Sequence, residues 1–103
     1  MKLIKELEEL IEDEIHDVEK YAKMALHLKS TNPTLAQILY NISVQEDSHR
    51  NVLHNEIVKL IENHRDRHGD PPAAMQAVYD YLHERHIEDM ADARRYQEMY
   101  KNA

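Results

Sequence analysis

Residues 33–60 read PTLAQILYNISVQEDSHRNVLHNEIVKL, and the rest of the chain is best understood outward from them. Leu35, Leu39, Ile42, Leu53, Ile57 and Leu60 recur at helical spacing, the mark of an amphipathic helix with one buried face. Glu46 and His49 fill the gap in that stripe between Ile42 and Leu53. Burying an unpaired carboxylate costs several kcal/mol, about what two or three buried leucines contribute, so a carboxylate there needs a compensating cation or hydrogen bonds. Glu and His three residues apart project from one helix face toward one point, which suits a shared divalent metal.

The composition agrees with an all-α fold. Among 103 residues there are one Gly, three Pro and no Cys, Trp or Phe, while helix-favouring Leu, Ala, Glu, Lys and Met abound. At this length the chain is one domain (1–103), near the size at which self-association adds needed burial. The absence of Cys excludes thiol catalysis, disulfides and Cys-ligated metal sites. A net charge of −7 argues against a phosphate-binding surface, so no nucleic acid is expected. No stretch approaches the roughly 18 consecutive apolar residues of a bilayer span, and the N-terminus lacks the apolar core of a signal peptide, so no membrane association and a cytoplasmic location are expected.

Three long antiparallel helices are expected, at about 2–29, 33–66 and 71–101. In the first, Leu3, Leu7, Leu10, Ile11, Ile15, Val18, Tyr21, Ala22, Ala25 and Leu28 form the stripe, interrupted by Glu14 and Asp17. The remaining acids, including Glu8 and Glu12, read as a solvated face. Asn32-Pro33 is an N-cap followed by a first-turn proline, and Gly69 suits a left-handed helix end. Asp70-Pro71-Pro72 repeats the cap-and-proline device before a third stripe of Met75, Val78, Leu82, His86, Met90, Ala93 and Tyr100.

Folding the first two helices back about Thr31 brings Glu14 and Asp17 to the height of Glu46 and His49, because both helices rise equally per residue. The same reflection about Gly69 sets residues 89–92 opposite them, with His86 and Asp89 as the nearest stripe candidates and His83 a turn further off. Glu14, Asp17, Glu46, Asp89, His49 and His86 together would supply enough hard oxygen and borderline nitrogen for two iron or manganese ions.

These residues resemble the ferritin-like superfamily, especially rubrerythrin-like proteins and the short encapsulated ferritins, over roughly Leu3 to Arg65. Glu14 with Tyr21 seven residues on, followed by Glu46-x-x-His49 on the next helix, carries the resemblance. It implies a ferritin-like bundle in which Glu14, Glu46 and His49 bind metal and Tyr21 places a hydroxyl beside the site. It also implies a di-iron cofactor, with Mn or Zn as substitutes, and ferrous oxidation or peroxide-linked iron handling of ferroxidase or peroxidase type. A complete ferritin-like domain has four helices and a second Glu-x-x-His, which this chain lacks. Either the third helix completes the site or two chains pair in a homodimer or larger homo-oligomer.

A reading of another class is a structural or interaction bundle whose buried Glu–His pair sets specificity, the metal site being vestigial or empty. A zinc hydrolase is disfavoured, because His83-Glu84-Arg85-His86 has one residue too few between its histidines for His-Glu-x-x-His geometry.

Overall fold

The computed structural model describes residues 2–103. It is a bundle of three helices, α1 (Lys2–Leu28), α2 (Pro33–His68) and α3 (Ala73–Asn102), with no strand among the described residues. The molecule is a rod of 55 × 18 × 18 Å. No helix is long and apolar enough to cross a membrane.

Local chemistry sets the breaks. Asn32 Oδ1 accepts a hydrogen bond from the Leu35 amide at 3.2 Å, and Pro33 occupies the first turn, where its missing N–H costs nothing. Gly69 closes α2, donating its amide to the Arg65 carbonyl at 2.8 Å. Its φ of 77° and ψ of −168° place it outside the left-handed helical basin, in a region open essentially to glycine alone. The third helix starts later than the cap-and-proline pattern implies. Its cap residue is Pro72, with no side-chain cap, rather than Asp70. The physical reason is the second proline: a residue before proline is driven out of the α region, so Pro71 stays extended and the helix begins only at Ala73.

α1 is the central element, its backbone lying close along both α2 and α3, whereas the α2 and α3 backbones stay apart and meet through side chains. Its buried face is Ile4, Ile11, Ile15, Val18, Ala22 and Ala25. The first four join Ile57, Met90 and Ala93 in one cluster, and Ala25 joins Ala36, Leu39 and Tyr100 in another. Each large aliphatic side chain so buried contributes about 1.5–3 kcal/mol. The single stripe expected for α1 is in fact two faces. Leu3, Leu10 and Met24 point outward at 48, 49 and 43% exposure, and Glu14 and Asp17 lie along that outward line. On α2, Leu35 and Ile38 are likewise exposed and Ile42 half-buried; on α3, Val78 is exposed.

All three helices meet at one hydrogen-bonded point. The Ser43 hydroxyl donates to the Val18 carbonyl at 2.9 Å and accepts from Gln97 Nε2 at 2.9 Å, with Ser43 completely buried. Nearby, the Tyr40 and Tyr100 rings stack at 4.6 Å, Tyr100 donates to Gln37 Oε1 at 3.0 Å, and Lys29 donates to the Tyr100 carbonyl. Ser43→Ala should leave the Gln97 amide buried without its acceptor and lower stability by about 1–3 kcal/mol. Ser43→Ala with Gln97→Leu, which removes both partners, should recover part of that loss in chemical denaturation. Equal stability of the Ser43→Ala and parent proteins would contradict this assignment.

Candidate metal centre

Glu14 on α1 and Glu46 and His49 on α2 converge in the middle of the rod. One ligand atom from each lies within 4.8 Å of the others. His49 Nδ1 stands 3.9 Å from Glu14 Oε2 and 3.8 Å from Glu46 Oε1. Those separations are too long for hydrogen bonds. They approach twice a metal–ligand bond of about 2.0–2.2 Å, the distance between donors on opposite sides of a small ion. Two oxygens and an imidazole nitrogen form a donor set suited to iron, manganese or zinc.

The local sequence explains the convergence. The one-turn step from Glu46 to His49 puts both on the same flank of α2, and Glu14 lies one turn from Val18, where Ser43 ties α1 to α2. The carboxylate side chains are only 25 and 21% exposed, whereas His49 is 62% exposed. The centre therefore opens onto the outward apolar line of α1 and α2, on the other side of α1 from His86 and α3.

Electrostatics make the pair of carboxylates costly. Glu14 is pushed up to about 7 from an ordinary 4.5, first by a proton shared with Glu46, then by burial, then by the negative charges of Glu46, Asp17 and Asp13. With no proton between the carboxylates, Glu14 Oε2 is buried and has no hydrogen-bond partner. A buried orphan oxygen beside a second carboxylate is the environment that a cation relieves.

The other candidate residues lie elsewhere. Asp17 is half-buried one turn along α1 and acts on Glu14 through its charge. Tyr21 is partly buried against the Ala25–Leu39 cluster, about 10 Å along the axis from Glu14. His86 does not reach this centre: its Nδ1 is 3.1 Å from Glu8 Oε2 and its Nε2 is 3.6 Å from Glu12 Oε1. Asp89 faces Arg85 at 3.9 Å. The reflection about Gly69 misplaces them because α3 lies along α1 rather than α2. Glu8 also departs from its expected place on a solvated face, being buried because α3 covers that flank of α1. A periodicity count centred on Ile11 and Val18 would have drawn Glu8 toward the core.

No protein-family model matches the chain, and no curated protein or solved structure matches it either.

The Glu14 shift carries a pH signature for metal-free protein. Its folded value lies above its unfolded value, so the proton retained on folding stabilises the protein below pH 4.5, and that stabilisation is lost as pH rises through about 7. Glu14→Gln removes the titration. Measured in chelator-treated samples, the melting temperature of Glu14→Gln relative to the parent should rise by a few degrees between pH 4.5 and pH 8. A difference that stays flat over that range would exclude the shared proton.

Proposed function

We propose that this chain is a ferritin-like metal-binding protein whose α1–α2 pair, running antiparallel, pairs with that of a second copy to complete a di-metal centre for ferrous iron oxidation. The observation that carries the reading is that Glu14, Glu46 and His49 converge on a face that is apolar and unpartnered. Three donors satisfy one ion incompletely and two ions not at all. A two-fold copy would double the set to four carboxylates and two imidazoles.

The flanking side chains suit such pairing. Leu3, Leu10, Met24, Leu35 and Ile38 are exposed along the same face, above and below the acidic centre. Apolar surface of this extent on a small chain marks an interaction face. Covering it would exclude water from Glu14 and Glu46 and move the partly open His49 into a dry cavity.

Iron held there would supply the redox chemistry with dioxygen or peroxide. The chain's own part is to hold ionised Glu14 and Glu46 against the ion and present His49 as a neutral ligand. Glu14 also gives up the proton that it otherwise shares with Glu46. Tyr21, on the same helix and toward the Tyr40–Tyr100 stack, lies too far along the axis to be a ligand and would border the covered cavity.

The test separates assembly from ligation. The parent should sediment as a dimer or larger at micromolar concentration, and ferrous ion should raise its melting temperature, more at pH 7.5 than at pH 5.5. Glu46→Gln should abolish that response in a folded protein. Leu10→Asp, which touches no ligand, should give a monomer with ferrous oxidation reduced by at least tenfold. A monomeric Leu10→Asp protein that oxidises ferrous iron at the parental rate would show that one chain suffices. A parent melt unmoved by iron, manganese or zinc would leave the interaction-bundle reading.

A further inference from the structure

α3 is held unevenly along its length. From His86 onward it buries His86, Met90, Ala93, Gln97 and Tyr100, but none of residues 73–85 is buried. Met75, Tyr79 and Leu82 are half-buried there. The groove left between α2 and this half of α3 has a volume of about 330 Å³ and is lined by Ile57 and Ile61. Across it the rings of His54, half-buried on α2, and His83, exposed on α3, stack with centroids 5.3 Å and planes 18° apart. Toward the start of α3, Arg65 Nη2 donates to Gln76 Oε1 at 2.8 Å, an exposed contact of a kind that contributes little. A segment with so few buried contacts opens at a lower free energy than the core, so the histidine stack matters to whether it stays docked.

The groups around His54 decide what a proton there does. Arg50 lies one turn before it on α2, His83 and His86 act on it from α3, and Glu8 acts from α1. Of these only Glu8 attracts a proton to His54, and Glu8 already faces His86 Nδ1 at 3.1 Å. Glu62 and Asp80 line the groove farther along, where Asp80 accepts from Gln76 at 2.9 Å. Burial holds His54 below the ordinary histidine value of 6.5, and the charges of His83 and Arg50 push the same way. The folded value lies below the unfolded one. The stability that neutral His54 contributes is therefore complete above pH 6.5 and is lost as pH falls through the folded value.

We infer that the His54–His83 stack is an acid-sensitive latch, closed at neutral pH and released under mild acid, that frees residues 73–85 of α3 from α2 while the rest of α3 stays in place. Each ring that gains a proton adds a like charge to the stack, and two cationic rings at this separation repel. The remainder of α3 has no reason to follow. Gln97 is pinned through Ser43 to the Val18 carbonyl, and a proton on His86 strengthens its hold on Glu8 at 3.1 Å and Glu12 at 3.6 Å. The opening therefore stops at His86 and uncovers Ile57 and Ile61. The Glu14 centre lies on the other flank of α1 and takes no part.

Hydrogen exchange of the full chain in chelator, at pH 7.5 and pH 5.5 and corrected for intrinsic amide rates, tests the latch. Amides within residues 73–85 should lose at least threefold in protection at the lower pH, while those within residues 90–100 lose less. His54→Phe keeps a ring in the stack that takes no proton and should abolish the difference; His83→Phe should reduce it. Titration of the Glu14 centre is common to the parent and both variants, so it cancels in the comparison. Equal protection of residues 73–85 at the two pH values in the parent would overturn the latch. So would a parental loss of protection that both variants keep in full. If a variant exchanges freely at both pH values because its packing is lost, the ring resonances of the parent decide. His54 must then gain its proton over the same pH range in which residues 73–85 lose protection, and a mismatch of the two ranges would overturn the inference.

Discussion

The hydrogen bonds through Ser43 are the constraint from which the positions of the ionisable groups follow. One hydroxyl, completely buried, accepts from Gln97 of α3 and donates to the Val18 carbonyl of α1, so it pins all three helices at one level. A carbonyl already bonded within its helix can accept a second time, but only if the neighbouring backbone comes close. Small side chains in the interior permit that approach: Ala22, Ala25, Ala36 and Ala93 are fully buried. Slipping α2 by one turn would break this contact and carry Glu46 and His49 away from Glu14.

The same close approach forces α1 to divide its apolar residues between two directions. Ile11, Ile15 and Val18 fill the interior, while Leu3, Leu10 and Met24 remain outside with Glu14 and Asp17. A helix buried on one side by two neighbours has no need of a second apolar line, and that line is the surface on which the proposed pairing rests. Position along that line also explains why Glu14 and Glu46 are partly buried while His49 is open: they lie in the α1–α2 seam, and the imidazole projects past it.

Much of this was legible in the sequence. Asn32-Pro33 and Gly69 marked two helix boundaries, and the gap that Glu46 and His49 fill in the α2 stripe pointed to the groups that the structure brings to Glu14. The level of Glu14 followed from equal rise per residue about a short turn, which needs no knowledge of packing. What could not be read was the side of α1 that α3 would choose. Stripe periodicity gives each helix an apolar face but does not say which neighbour covers it, and the merged α1 stripe hid the fact that there were two. Equal rise about Gly69 therefore sets His86 and Asp89 opposite Glu46, and the stripe alone puts Glu8 in water. The double proline misled for a local reason, since cap patterns do not register that Pro72 bars Pro71 from the helix.

The two polar clusters differ in a way that separates what each asks of the protein. The Glu14 centre lies at an open seam, so water can hydrate Glu46 and His49, and proton sharing offsets the repulsion between its carboxylates. The Glu8–His86 cluster lies in the α1–α3 seam, where Glu8 Oε2 faces His86 Nδ1 at 3.1 Å and Glu12 Oε1 faces Nε2 at 3.6 Å, so its carboxylates meet an imidazole rather than each other. In a chain with net charge −7, each further buried carboxylate adds to a repulsion already spread over the rod, and a divalent cation relieves it more effectively than one proton. The Glu8–His86 pair bears on how α3 sits against α1, whereas occupancy of the Glu14 centre would bear on the proposed meeting of two chains. The two clusters lie on opposite flanks of α1, so the helix that holds the bundle together also keeps their charges apart.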